Sequence, residues 1–120
     1  MKLKYKDIKT VRTQQLEKQN FKCCLCGDSL TEDEAVLDHD HKTGLLRGVI
    51  HRGDNILLGK IENAMPRTRV DLHRLSHIAD NLIKYLTADP ISEYLHPTFK
   101  TPEERKMGRG RGKGKKPPKR

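Results

Sequence analysis

Tryptophan is absent and aromatic residues make up only 4% of the chain, so burial must come from aliphatic side chains rather than from large aromatic anchors. Hydrophobic residues amount to 33% against 34% charged in 120 residues. A core that small needs a structural metal or a dimer interface as a supplement. No apolar run approaches membrane-spanning length, and the opening Met1-Lys2-Leu3-Lys4-Tyr5-Lys6 lacks a signal peptide's apolar stretch, so neither a membrane partner nor export is expected. The three cysteines all fall within Cys23-Cys24-Leu25-Cys26. They are too crowded for a disulfide framework but well placed for a metal knuckle, which predicts a reducing, cytoplasmic setting.

Acids are missing from one end. Of 25 Lys and Arg residues, nine stand after Glu104 (Arg105, Lys106, Arg109, Arg111, Lys113, Lys115, Lys116, Lys119 and Arg120), where no acid follows. The remaining 16 cations match the 16 acids of residues 1–104, so the net +9 belongs to the tail and the body is neutral. From Gly108 the tail alternates Gly with Lys or Arg and ends Lys-Lys-Pro-Pro-Lys-Arg. With nothing to bury, residues 105–120 are expected to form a disordered basic tail that binds a polyanion, DNA above all, beside one folded domain spanning 1–104. The bland alternative is a solubility tail with no specific role.

Within the body, Ile8, Val11, Leu16 and Phe21 suggest an amphipathic helix over about 6–19. Gly27-Asp28 supplies a turn, and Ser29 to Glu34 reads as an acidic loop or short helical turn. Val36-Leu37 enters a strand ending at Asp38-His39, Lys42-Thr43-Gly44 turns, and Leu45 to Ile50 returns. A helix is expected to start with Asp54 or Asn55 as its N-cap and to be interrupted at Pro66. A second long helix should run over about 69–87, where Leu72, Leu75, Ile78, Leu82 and Leu86 recur at helical spacing. Thr101-Pro102-Glu103-Glu104 has a capping-box pattern for one last short helix leading into the tail. The fold class is therefore α+β, with a strand–turn–strand–helix unit too small to hold without a staple.

Chemistry concentrates in Asp38-His39-Asp40-His41 and Asp54-Asn55. An acid, an adjacent imidazole and a downstream carboxamide are what a one-metal phosphodiester hydrolase needs. Hard oxygen donors suit Mg²⁺ or Mn²⁺, and a histidine near neutrality can take a proton from water. Cys23-x-x-Cys26 and His51-x-x-Asp54 share a two-residue gap beside a hairpin, the spacing of a split Zn²⁺ site. Each feature has an ordinary reading: Asp38 and Asn55 as polar caps, His39 and His41 as surface histidines, Cys23 and Cys26 as small buried hydrophobes. Strict alternation would also send Asp38 and His39 to opposite faces, so both can serve one phosphate only if the strand bends or ends there.

These residues resemble the recombination endonuclease VII family, a phage branch of the His-Me finger (HNH, ββα-metal) nucleases. The resemblance rests on Cys23-x-x-Cys26, Leu37-Asp38-His39-Asp40-His41, Thr43-Gly44, Leu46-Arg47-Gly48, and Asn55 followed by Leu58-Gly59, and it spans about 18–99 with Tyr94 to Phe99. It implies a ββα-metal core with a zinc knuckle, flanking helices and metal-assisted hydrolysis of DNA. In that frame His39 is the general base, Asp38 and Asn55 bind the catalytic Mg²⁺, and His41 is an accessory group. It further implies cleavage of branched DNA such as Holliday junctions by a homodimer with interlocking helices, and, for a phage protein, the host cytoplasm. Two departures stand out: His51-Arg52-Gly53-Asp54 replaces the family's second C-x-x-C, and Leu58 stands where the family has an acid, with Glu62 one turn further on.

Lys42, Arg47 and Arg52 lie close enough in sequence to clamp flanking phosphates, with the tail cations adding non-specific attraction. Two other functions use much of the same sequence. An HNH nicking or homing-type endonuclease on duplex DNA would carry the same site. A non-catalytic zinc-knuckle DNA-binding or packaging protein would need the tail but not the Asp-His-Asn set.

Overall fold

The computed structural model describes residues 1–112, the last four of them as backbone only. It separates into two compact units, Met1–Asp80 and Asn81–Arg120. The first unit opens with a 3-10 turn, Tyr5–Asp7, running into α1 (Ile8–Lys18). Another 3-10 turn, Glu32–Glu34, leads into β1 (Ala35–His39), which pairs with β2 (Leu46–His51) as a two-stranded antiparallel sheet. Then follow α2 (Arg52–Thr68), α3 (Leu72–Leu86), within which the division between the units falls, and, in the second unit, α4 (Pro102–Gly112). The α+β class and the β–β–α unit expected from the sequence are present.

Leu16 of α1, Cys23, Leu30, Ala35, Val49 and Ile50 form the core, with Leu37 and Leu58 packed against it. It is a small aliphatic core, with helices α1 and α2 closing on both strands. Besides Leu16, the residue that caps α1 holds the sheet by hydrogen bonds: the Gln19 amide accepts from Val49 N at 2.9 Å and donates to Val49 O at 2.9 Å and to Lys22 O at 2.8 Å. A primary amide presents the same donor–acceptor pair as a peptide, so Gln19 satisfies this edge of β2 where a further strand would.

Two boundaries differ from the sequence reading. The helix expected to start at Asp54 or Asn55 starts at Arg52 with His51 as its N-cap, so Asp54 sits in the first turn, where the helix dipole favours a carboxylate. Pro66 does not interrupt it. It lies in the last turn of α2, so its missing N–H costs a single helical bond before the helix ends, and Arg69 in the left-handed region (φ 56°) closes the helix with N–H donated to Met65 O. α3 is started by Asp71, whose carboxylate accepts from Arg74 N at 2.8 Å. Thr101 caps α4 as its pattern predicts, accepting from Glu104 N at 3.2 Å.

Candidate functional site

Two clusters of functional side chains arise from the β–β–α unit. The first is built by a tight turn. Cys23 N–H donates to Asp28 O (2.9 Å) and Gly27 N–H to Cys23 O (2.9 Å), with Gly27 at φ 82°. The amides of Leu25 and Cys26 point at Cys23 Sγ at 3.3 and 3.5 Å. Opposite stand His51, at the end of β2, and Asp54, one turn into α2. The ligand atoms of Cys23, Cys26, His51 and Asp54 all lie within 4.8 Å of one another. The expected quartet is therefore assembled, with Cys23 buried and the neighbouring Cys24 exposed.

The donor set fits a tetrahedral metal such as zinc. Cys26 Sγ lies 3.4 Å from His51 Nδ1, which is also 3.4 Å from Asp54 Oδ2, and the Cys23 thiol donates to Asp54 Oδ2 at 3.3 Å. With zinc–sulfur bonds of about 2.3 Å, tetrahedral ligands are separated by roughly such distances. Without metal, the four groups repolarise one another. Burial pushes the Cys23 thiol up, but the amides of Cys26, His51 and Leu25 together with the His51 ring outweigh it and leave it lowered. The Asp28 amide pulls Cys26 down, yet Asp54, desolvation and Cys23 push it up to about 11. His51 is raised by Cys23, and Asp54 is lowered by Cys26 and Cys23.

The second cluster forms at an irregularity in the sheet. Asp38 pairs with Gly48 but His39 pairs with Leu46, so the register skips Arg47. β1 ends at His39, with Asp38 buried and His39 exposed, and the extra residue on β2 is Arg47, whose side chain lies alongside Asp38. Arg47 Nε and Nη2 donate to the two oxygens of Asp38 at 2.8 and 3.3 Å, while Nη1 and Nη2 donate to Glu62 at 3.2 and 3.3 Å. Glu62 and Asp38 raise the guanidinium pKa further above an already high value. Asp38 is buried, the one charged side chain in that state among the described residues, so a cation beside it is required.

His39 is exposed and its ring stacks on His41, centroids 4.7 Å apart. Asp40 forms the turn between the strands, accepting from Lys42 N at 2.7 Å and Thr43 N at 3.3 Å, and the Lys42 amide above all holds its carboxyl below the usual range. Asn55, Leu58 and Glu62 stand at i, i+3 and i+7 on α2 and so lie along one face, on which Leu58 packs against the core. Leu58 is a core contact, whereas Glu62 reaches the Asp38 site through Arg47. Two carboxylates converging on one positive charge are hard oxygen donors of the kind Mg²⁺ takes.

The cations expected to clamp phosphates differ in what they already bond. Arg47 is engaged by two acids, and Arg52 donates to the Asp33 carbonyl at 3.1 Å. Lys42 is exposed at the turn between the strands. Arg105, the first residue of the expected disordered tail, lies within α4 with its guanidinium 6.0 Å from the Phe99 ring centre. Arg109 and Arg111 fall in the backbone-only end of α4, and Lys113, Lys115 and Lys116 lie outside the described residues. No helix among the described residues is long and apolar enough to cross a membrane.

Sequence reasoning raised Glu62 only as a loose stand-in for an acid at the position of Leu58 and missed its contact with Arg47; it also missed Gln19 as a clasp on β2. Neither belongs to a local motif. A family model, recombination endonuclease VII, matches residues 1–88, which contain both clusters.

Proposed function

This chain belongs to the recombination endonuclease VII family, and on that footing we propose that it is a metal-dependent DNA endonuclease that hydrolyses phosphodiester bonds of branched or junction DNA. One observation carries the reading: the buried Asp38 and the exposed His39 emerge side by side at the sheet bulge, with α2 bringing Glu62 to the same place and Asn55 on the Glu62 face. A burial-only protein would have no use for a buried carboxylate beside an exposed imidazole.

In this reading His39 takes the proton from the attacking water, a role worth roughly 10²–10⁴-fold in rate. The His41 ring, stacked on it, limits how His39 can turn and serves as an accessory group near the phosphate. Asp38 and Asn55 would hold Mg²⁺ or Mn²⁺, which supplies stabilisation of the negative charge that develops on the phosphate. Cys23, Cys26, His51 and Asp54 would hold Zn²⁺, fixing the start of α2 against the knuckle and so the base of the helix that bears Asn55. Lys42 and the basic residues from Arg105 onward supply attraction to the DNA backbone.

A homodimer is part of the same proposal. Helix α3 carries its apolar residues at helical spacing, and Leu72, Ile78, Leu82 and Leu86 are all exposed. Such a stripe is suited to a second copy of the chain.

The test compares a four-way junction with its linear duplex arms, with and without added Mg²⁺ on zinc-loaded protein. Mg²⁺-dependent cleavage of the junction in preference to the arms is expected, with loss in Asp38→Ala and Asn55→Ala. Equal cleavage of the arms would replace the junction enzyme by a duplex-nicking one. Absence of any cleavage with Mg²⁺ or Mn²⁺ would overturn the enzyme reading.

A further inference from the structure

Asp38 already has a cation. Arg47 meets both carboxylate oxygens of Asp38 with Nε (2.8 Å) and Nη2 (3.3 Å). Its other edge meets both oxygens of Glu62 at 3.2 and 3.3 Å. Bidentate guanidinium–carboxylate contacts combine charge with fixed geometry, and here one guanidinium makes two of them. The two acids differ in setting: the Asp38 side chain is 7% exposed and the Glu62 side chain 36%. A buried carboxylate left without a counter-charge is costly, so Asp38 is held by Arg47 until another cation can replace it. An incoming divalent ion needs the same oxygens and must win them from the guanidinium.

We propose that Arg47 is a resident counter-ion of the Asp38 site, competing with the divalent metal for Asp38 and, when displaced, kept at hand by Glu62 with its freed donors turned to a DNA phosphate. This rests on the reading of Asp38 as a metal ligand. Arg47 is thus a positioning residue before metal binds and an anion contact afterwards. The exchange is chemically balanced, since one cation leaves the carboxylate as another arrives and Glu62 retains the displaced charge. Thermodynamic reciprocity follows. A phosphate that draws Arg47 away from Asp38 must raise metal affinity by the factor by which metal raises phosphate affinity. The bulge is what makes the arrangement possible, because it alone places Arg47 beside Asp38 instead of in the strand ladder.

The experiment titrates Mn²⁺ into zinc-loaded full-length protein without DNA, reading free Mn²⁺ by electron paramagnetic resonance, for the wild type, Arg47→Gln and Asp38→Asn. If Arg47 occupies Asp38 in nine molecules of ten, its removal should tighten Mn²⁺ binding by about tenfold. Asp38→Asn should lose that site. Loss in Asp38→Asn with unchanged or weaker binding in Arg47→Gln overturns the counter-ion proposal and leaves Asp38 as a ligand. Unchanged binding in Asp38→Asn removes the ligand reading itself, and the proposal with it. Should Arg47→Gln not fold, the wild type decides by nuclear magnetic resonance under Mg²⁺ titration. Movement and faster exchange of the Arg47 Nε–H signal support the proposal, and a static Nε–H signal while the Asp38 carboxyl carbon shifts overturns it.

Discussion

His51 Nε2 lies 2.9 Å from the Ser29 carbonyl oxygen. A carbonyl only accepts, so this contact fixes the proton on Nε2 and leaves the Nδ1 lone pair facing the Cys26 thiol and Asp54. The backbone thus chooses the tautomer that a metal would require, on the ring nitrogen that a metal would use.

Zinc should accordingly bind at about one equivalent and displace protons as it does so. With Cys26 up at about 11, that thiol carries its proton at neutral pH in the metal-free protein. Binding near pH 7.5 should release at least one proton, measurable with a pH indicator in weak buffer. The signs for the metal-free fold are opposite for the two groups. The raised Cys26 stabilises it below its ordinary 9.0 and loses that contribution as pH climbs through about 11. The lowered Asp54 contributes above its ordinary 3.8 and loses that as pH falls below it. Zinc affinity should rise with pH, and Cys23→Ser or Cys26→Ser should lose both metal and thermal stability. Metal analysis finding no zinc in fresh wild-type protein would leave the knuckle to packing alone.

His39→Ala should slow cleavage by roughly 10²–10⁴-fold while leaving DNA affinity nearly unchanged, because the ring is exposed and holds up no part of the core. Single-turnover rates at saturating DNA, set beside binding curves, separate the two effects. Cleavage at the wild-type rate would move the base elsewhere.

Gly48 is the sheet's tightest point. A Cβ there would lie 2.8 Å from Cys24 Sγ and 3.2 Å from Cys24 Cβ. Gly48→Ala should therefore cost about 1–3 kcal/mol from overpacking, with added strain from its φ of 158° that a change at Cys24 would not relieve, read from urea unfolding of zinc-loaded protein. Adding Cys24→Ala removes the sulfur and should recover part of that loss. Full additivity of the two changes would mean that the clash is not the cause.

Truncation after Thr101 removes α4 whole, with the nine basic residues that follow Glu104. Each lost phosphate contact flattens the log–log salt dependence of duplex binding by about 0.9, so losing five would flatten it by about 4.5. Binding should weaken strongly at low salt and little at high salt. Since every proposed catalytic side chain precedes Thr101, the saturated single-turnover rate should hardly change. A collapse of that rate would put the tail inside the active complex.

The Cys23–Cys26–His51–Asp54 quartet was legible because its two halves are local: a three-residue spacing inside a turn and another across a helix start. The strands and α3 were legible from alternation and from leucine spacing. Helix starts were harder, since His51 at the head of α2 serves as both cap and candidate ligand, and nothing in Arg52-Gly53 announces a helix. The Asp38–Arg47–Glu62 triad was illegible for a different reason. A bulge depends on how two strands settle against α1 and α2, and without it Arg47 reads as one more cation in a hairpin. Glu62 joins only because α2 continues straight past Asn55 for two turns.

The amide of Gln19 has a consequence beyond joining α1 to β2. A two-stranded sheet has two open margins, each able to template the addition of a foreign strand. On β2 the N–H of Val49 is taken by the Gln19 amide, and its C=O accepts from both Gln19 and the Cys24 N–H (3.2 Å). An invading backbone would have to evict Gln19 before it could zip onto that margin. Gln19→Ala should therefore leave a protein more prone to self-association through β2 than its modest loss of contacts would suggest.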